Sequence, residues 1–137
     1  DSKVVTECDE AEAYEKIADE LGAKTLELGY MPDGMYFQDV MVGKGYGKLQ
    51  YEYEGNRIFF IQGKADVKTS MVHSSDAKET YEVWNSGLHI NIQVYQEPDM
   101  KKIQMREAQF TYNGVYYHLL GKMNQEKFDE MVRKIQF

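Results

Sequence analysis

The sequence predicts an α+β fold: a curved antiparallel sheet of six to eight strands, with an N-terminal and a C-terminal helix packed on one of its faces. Three observations carry this reading. Helical periodicity is confined to the two ends of the chain. Everything between them alternates with period two and is punctuated by short turns bearing Gly, Asn and Pro. The aromatic content is strand-like, with 11 Tyr and 6 Phe beside a single Trp, because such rings suit a pleated, half-buried surface. An order of helix, strands, helix excludes a doubly wound α/β arrangement and leaves both helices to cover the same face.

Residues 1–8 read as a flexible lead-in. Asp9 then opens a helix as N-cap, with Glu12 at the capping-box spacing. Tyr14, Ile17, Ala18 and Leu21 form one apolar stripe, and Gly22 supplies the left-handed residue that ends it. Met31-Pro32-Asp33-Gly34 has β-turn chemistry. Strands are expected at 35–42 and 48–54 around the turn Gly43-Lys44-Gly45-Tyr46-Gly47. Glu54-Gly55-Asn56-Arg57 is a tight hairpin turn. Its return strand, Ile58 to Gln62, is apolar on both faces and so belongs near the middle of a covered sheet. Residues 63–78 read as a solvated crossover with room for a short edge strand. Strands resume at 79–84 and 88–96 around Asn85-Ser86-Gly87, and Glu97-Pro98-Asp99 breaks the second. The last hairpin, 103–112 and 115–120, turns at Asn113-Gly114, the strongest short hairpin signal in the chain. Asn124 caps a closing helix with the stripe Phe128, Met131, Val132 and Ile135, and Arg133 and Lys134 complement the negative end of its dipole.

With 137 residues and no composition break or repeat, residues 1–137 form one domain, large enough to need neither disulfide nor metal as a staple. The net charge of −7 argues against a nucleic-acid partner, which requires a basic face, and against docking on an anionic membrane surface. Cys8 is the single cysteine, so no intrachain disulfide or Cys-based metal site can form. No stretch approaches the roughly 18 apolar residues of a membrane span. The opening Asp1-Ser2-Lys3, without a Met, is read as following a leader or anchor that is missing from this sequence.

Catalytic and metal patterns fail on spacing. The loop G-K-G-Y-G-K at 43–48 is neither phosphate-binding motif, and it joins two strands instead of leading into a helix that could hold an anion. His73-Ser74-Ser75-Asp76 holds the residue types of a triad, but triads are assembled from distant segments. His73, His89 and His118 show no metal spacing. His89 and His118 lie on the polar side of strands, where they read as surface histidines that could meet across the sheet. Glu52 and Glu54 share one strand face toward solvent. Eight methionines are scattered among apolar positions and read as core filling. Neither a metal nor a cofactor is expected.

Alternation does leave one binding surface. Leu88, Ile90, Ile92 and Val94 point one way. Asn91 and Gln93 with Tyr95, and Tyr116 with His118 on the last hairpin, fall on the opposite face. Helices on one side of the sheet leave that face open, and Tyr offers rigid apolar area with a polar tip. Asn91, Gln93, Tyr95, Tyr116 and His118 are therefore the candidate ligand-binding residues, for a protein or a small ligand.

Three stretches carry a family resemblance. They are the run from Leu26 through Tyr30-Met31-Pro32-Asp33-Gly34-Met35 to Phe37, the Tyr-rich hairpin from Leu49 to Gln62, and Phe110 to Gly121 leading into Met123-Asn124-Gln125-Glu126-Lys127. Together they resemble the bacterial family called domain of unknown function 4367, although Phe110 stands where that family often has Trp. The resemblance implies context: an extracytoplasmic domain of Gram-positive bacteria, tethered at its N-terminal side by one membrane helix and sometimes joined to an anti-sigma-factor-like segment. The family brings no catalytic residues to transfer. The expected function is a non-enzymatic sensing or interaction module. A carrier for an apolar ligand is the alternative, followed by a small hydrolase using His73 or His118.

Overall fold

The computed structural model describes residues 4–6, 8–64, 79–95 and 103–137, the first of these through the backbone alone. In chain order the elements are β1 (Val4–Thr6), α1 (Glu10–Leu21), β2 (Glu27–Leu28), β3 (Tyr36–Gly43), β4 (Tyr46–Tyr53), β5 (Asn56–Lys64), β6 (Glu79–Asn85), β7 (Leu88–Tyr95), β8 (Met105–Tyr112), β9 (Val115–Lys122), α2 (Gln125–Arg133) and β10 (Ile135–Gln136). Eight strands form one open, curved antiparallel sheet in the order β1-β3-β4-β5-β9-β8-β7-β6, and β10 pairs with β2 apart from it. The sheet is two meanders, β3–β4–β5 and β6–β7–β8–β9, joined where β5 pairs β9. The expected α+β class and central place of the Ile58–Gln62 strand both hold.

Register explains the single core. Tyr81, Ile92, Ala108, Leu119, Phe60, Leu49 and Val40 are successive cross-strand partners from β6 to β3, so their side chains share one face. All but Tyr81 are fully buried. Helix α1 lies over β3, β4 and β5 and α2 over β6. A one-residue bulge between Phe37 and Asp39 lets Phe37 and Val40 reach the same side.

Asp9 and Glu12 close a full capping box on α1, and Ala13, Tyr14, Ile17 and Leu21 are its buried stripe. Burying Ile17 alone contributes about 1.5–3 kcal/mol. Gly47 makes the close approach possible, since a Cβ there would overlap the Ile17 side chain. The Tyr51 hydroxyl donates to Glu10 Oε2 at 2.6 Å, with Tyr14 Oη 3.3 Å from it. Burial pushes both tyrosines far above their ordinary pKa, so they stay protonated donors that tie helix to sheet. On the other half, Phe128, Met131 and Val132 of α2 are buried. Asn85 Nδ2 donates to the carbonyls of Val132 (2.9 Å) and Ile135 (3.0 Å), satisfying acceptors that a helix end leaves open.

Several local readings change. Within the expected lead-in, Val4–Thr6 pair with β3. The closing helix stops at Arg133, and Ile135 joins β10 against Leu28, because pairing with β2 gives its backbone partners outside the helix. The loop at 43–47 tightens to a turn at Lys44-Gly45, with Gly43 opposite Tyr46. Glu54 leaves the strand for the hairpin turn with a positive φ, so it does not share a strand face with Glu52. Of the expected crossover at 63–78, Gly63 and Lys64 instead complete β5, paired with Tyr116 and Val115; its remainder, with His73, and the break at Glu97-Pro98-Asp99 lie outside the described residues.

Candidate functional site

The face opposite the helices carries a continuous polar row. Glu82 pairs with Asn91, Asn91 with Gln109, and Gln109 with His118. One step along the strands, Thr80 pairs with Gln93, Gln93 with Glu107 and Glu107 with Leu120. The five candidates, Asn91, Gln93, Tyr95, Tyr116 and His118, therefore do share one face. It is not uniformly open, however. Asn91 is exposed and Gln93 and Tyr116 are half-buried, while Tyr95 is only 8 % exposed and His118 only 1 %.

Glu107, which alternation alone did not single out, organises the buried half. Its Oε2 meets His118 Nε2 in a short contact between two side chains that are each 2 % exposed. Its Oε1 accepts from Gln109 Nε2 at 2.9 Å and from the Tyr95 hydroxyl at 2.8 Å. That hydroxyl also lies 2.6 Å from Gln93 Oε1, so one hydrogen is shared between two acceptors. Tyr116 extends the chain, donating to Gln109 Oε1 at 3.2 Å. This network is the physical reason His118 and Tyr95 are buried and not surface groups: each gives its polar end to a neighbour on the same sheet face. Ile61 and Leu120, both buried, flank the pair.

The electrostatics follow from the geometry. Burial alone pushes the Glu107 carboxyl up, but hydrogen bonds from His118, Tyr95 and Gln109 and the His118 charge outweigh it, holding the pKa below the ordinary value. Burial and the adjacent Glu107 raise Tyr95 far above the usual phenol range, and the same two causes raise Tyr116. Both remain neutral donors at physiological pH. His118 Nδ1 is buried without a hydrogen-bond partner, and the imidazole stands edge-on to the Tyr116 ring at 5.9 Å.

His89 and His118, which as strand residues could have met across the sheet, do not, because β8 separates β7 from β9. His89 instead stacks on Trp84, with ring centroids 3.8 Å apart, and its Nδ1 is 3.5 Å from Glu82 Oε1. Trp84 is 63 % exposed. Neither Trp84 nor Glu82 was singled out from the sequence.

A second feature lies away from this face. A cleft of about 300 Å³ opens between the segment after α1 (Ala23, Lys24, Leu26), the tip of the β8–β9 hairpin (Tyr112, Asn113, Val115) and Phe137. Among the described residues no group of three His, Cys, Asp or Glu is placed to hold a metal ion, and no helix is long and apolar enough to cross a membrane. Compared with protein-family models, curated proteins and solved structures, the chain matches none.

Proposed function

We propose that this domain is a non-enzymatic binding module, the extracytoplasmic part of a membrane-anchored bacterial protein that senses or engages a partner through the sheet face opposite its helices. The observation that carries the reading is the polar row itself. It runs from exposed Trp84 and Asn91 into a buried, mutually hydrogen-bonded cluster around Glu107. Such a cluster fixes the positions of Gln93, Gln109 and Tyr116, so a partner meets preorganised polar groups and a rigid ring. A hydrolase reading finds less support. Glu107 could orient His118, but no described hydroxyl or thiol is hydrogen-bonded to the free Nδ1 as a nucleophile–base pair requires, and the imidazole is shut from solvent. The location rests on the resemblance of the turn-and-core residues described above.

A photo-crosslinking amino acid placed at Asn91, and separately at Lys16 on the exposed side of α1, tests the reading in the native host. Adducts from position 91 and none from position 16 are expected. Adducts from neither, or equally from both, would defeat it. The carrier alternative has its own observation in the cleft beside Phe137, whose volume lies at the low end for small-molecule sites. It predicts that the native fold binds an apolar fluorescent probe and loses it on Val115→Trp, which fills the cleft.

A further inference from the structure

Among the described residues the large sheet ends at β6, and the way β6 pairs decides what its outer edge can do. The β6–β7 hairpin closes on the two residues Ser86 and Gly87, both with positive φ, the signature of a type I′ turn. Such a turn makes Asn85 and Leu88 a hydrogen-bonded pair. The alternation then directs the amides and carbonyls of Val83, Tyr81 and Glu79 toward β7. Those of Trp84, Glu82 and Thr80 point the other way, toward an edge that pairs with no strand among the described residues. These three residues also carry their side chains on the face opposite the helices, and all three are exposed. A backbone edge without a strand partner among the described residues, an exposed indole and an exposed carboxylate thus coincide on three alternate residues.

The geometry points to β6 as a strand-addition site for an extended, basic segment of a partner protein. The inference deepens the binding reading above and rests on it. An antiparallel guest, like every other strand in this sheet, would exchange backbone hydrogen bonds with Thr80, Glu82 and Trp84 and so continue the ladder. Opposite Glu82 it would present Lys or Arg. Two residues earlier in its own chain, opposite Trp84, it would present an apolar side chain to cover the indole. Charge selects this occupant over a second copy of the chain. When two β6 strands pair about a two-fold axis in full overlap, Glu82 faces Glu82 of the other copy, and like charges directly opposite destabilise a pair. Glu79, exposed at the start of the strand, and the net charge of −7 add attraction for a basic guest at longer range.

The chain contains one tryptophan, so its fluorescence reports on this site alone. Random octapeptides displayed on phage are selected on the folded domain, and the enriched ones synthesised. Enriched sequences should carry the order apolar-x-basic, shift Trp84 emission to the blue, and slow exchange of the Glu82 and Trp84 amides. N-methylation of the residue opposite Glu82 should weaken binding about tenfold or more, as should Glu82→Lys, by removing paired hydrogen bonds or reversing the charge. Peptides that bind equally well when N-methylated would overturn strand addition while leaving a binding face in place. A library that yields no peptide shielding Trp84 would overturn it too, and the crosslink at Asn91 then decides the broader reading separately. Sedimentation showing a dimer that Trp84→Ala dissociates would make a second copy the occupant and sink the proposal.

Discussion

A carboxylate 2 % exposed, as in Glu107, carries a desolvation cost of several kcal/mol that only well-placed partners can offset. Three donors do so here, and they leave its folded-state pKa below the ordinary value. The sign of the pH dependence follows. A depressed carboxyl pKa contributes stability that is fully present above the unfolded value, about 4.3, and that is lost as pH falls through the folded value. Urea midpoints measured from about pH 6 to about pH 3 should therefore fall for the wild type and fall less for Glu107→Gln. Parallel curves would show that Glu107 is not a stabilising acid. The two histidines give a second contrast. His118→Ala strips a buried carboxylate of its nearest donor and should cost about 3 kcal/mol or more. His89→Ala removes only an exposed contact with Glu82 and should cost no more than about 1 kcal/mol apart from any loss of stacking on Trp84. Equal costs in urea unfolding would mean that the Glu107–His118 pair is not the structural centre of the site.

Elements dock through small sequence choices that alternation does not reveal. Gly47 sits where β4 passes under Ile17, and Gly47→Ala should destabilise the domain by about 1–3 kcal/mol through overpacking. Ile17→Ala should be partly forgiven in that background, a coupling a double-mutant cycle reads directly. Additive losses would place the clash elsewhere. Asp9→Ala, which removes the side-chain acceptor for the Glu12 amide, should cost about 1 kcal/mol. The hairpin turns show how far the site was legible. Asn113-Gly114 is a two-residue turn in sequence and in structure, and it alone sets Gln109 opposite His118, with Glu107 on the diagonal. That signal sets Glu107 beside His118, but not their burial: by alternation His118 reads as a surface histidine, whereas it is 1 % exposed. At the other hairpin, Asn85 reads as part of the turn, whereas it is the last residue of β6 with its side chain spent on the end of α2. Shifting that boundary hides the Trp84–His89 pair. Strands as short as β1, β2 and β10 have no period to read; only their partners define them.

At the scale of the molecule, the pairing of β5 with β9 joins segments about as far apart in sequence as any in the sheet, and no turn specifies it. The sequence places Ile58–Gln62 near the middle because both of its faces are apolar, but it does not say which strand lies alongside. That pairing also organises stability. The two meanders meet only there within the large sheet, with Phe60 against Leu119 and Ile61 against His118 at its centre, so the link cannot open without parting the core. Native-state hydrogen exchange should follow this order. Amides of Phe60 and Leu119 should exchange only through global unfolding, with a free energy equal to that from urea. Amides of Glu82 and Trp84, directed away from β7, should exchange fastest within the strands, and β6 as a whole should open at a fraction of the global free energy. If β5 and β9 opened locally, the meanders would be independent units and the sheet a docked pair. If Glu82 and Trp84 proved as protected as Phe60, the β6 edge would already be covered and closed to a guest strand. The same experiment thus measures the cohesion of the fold and the availability of its one solvent-facing tryptophan edge.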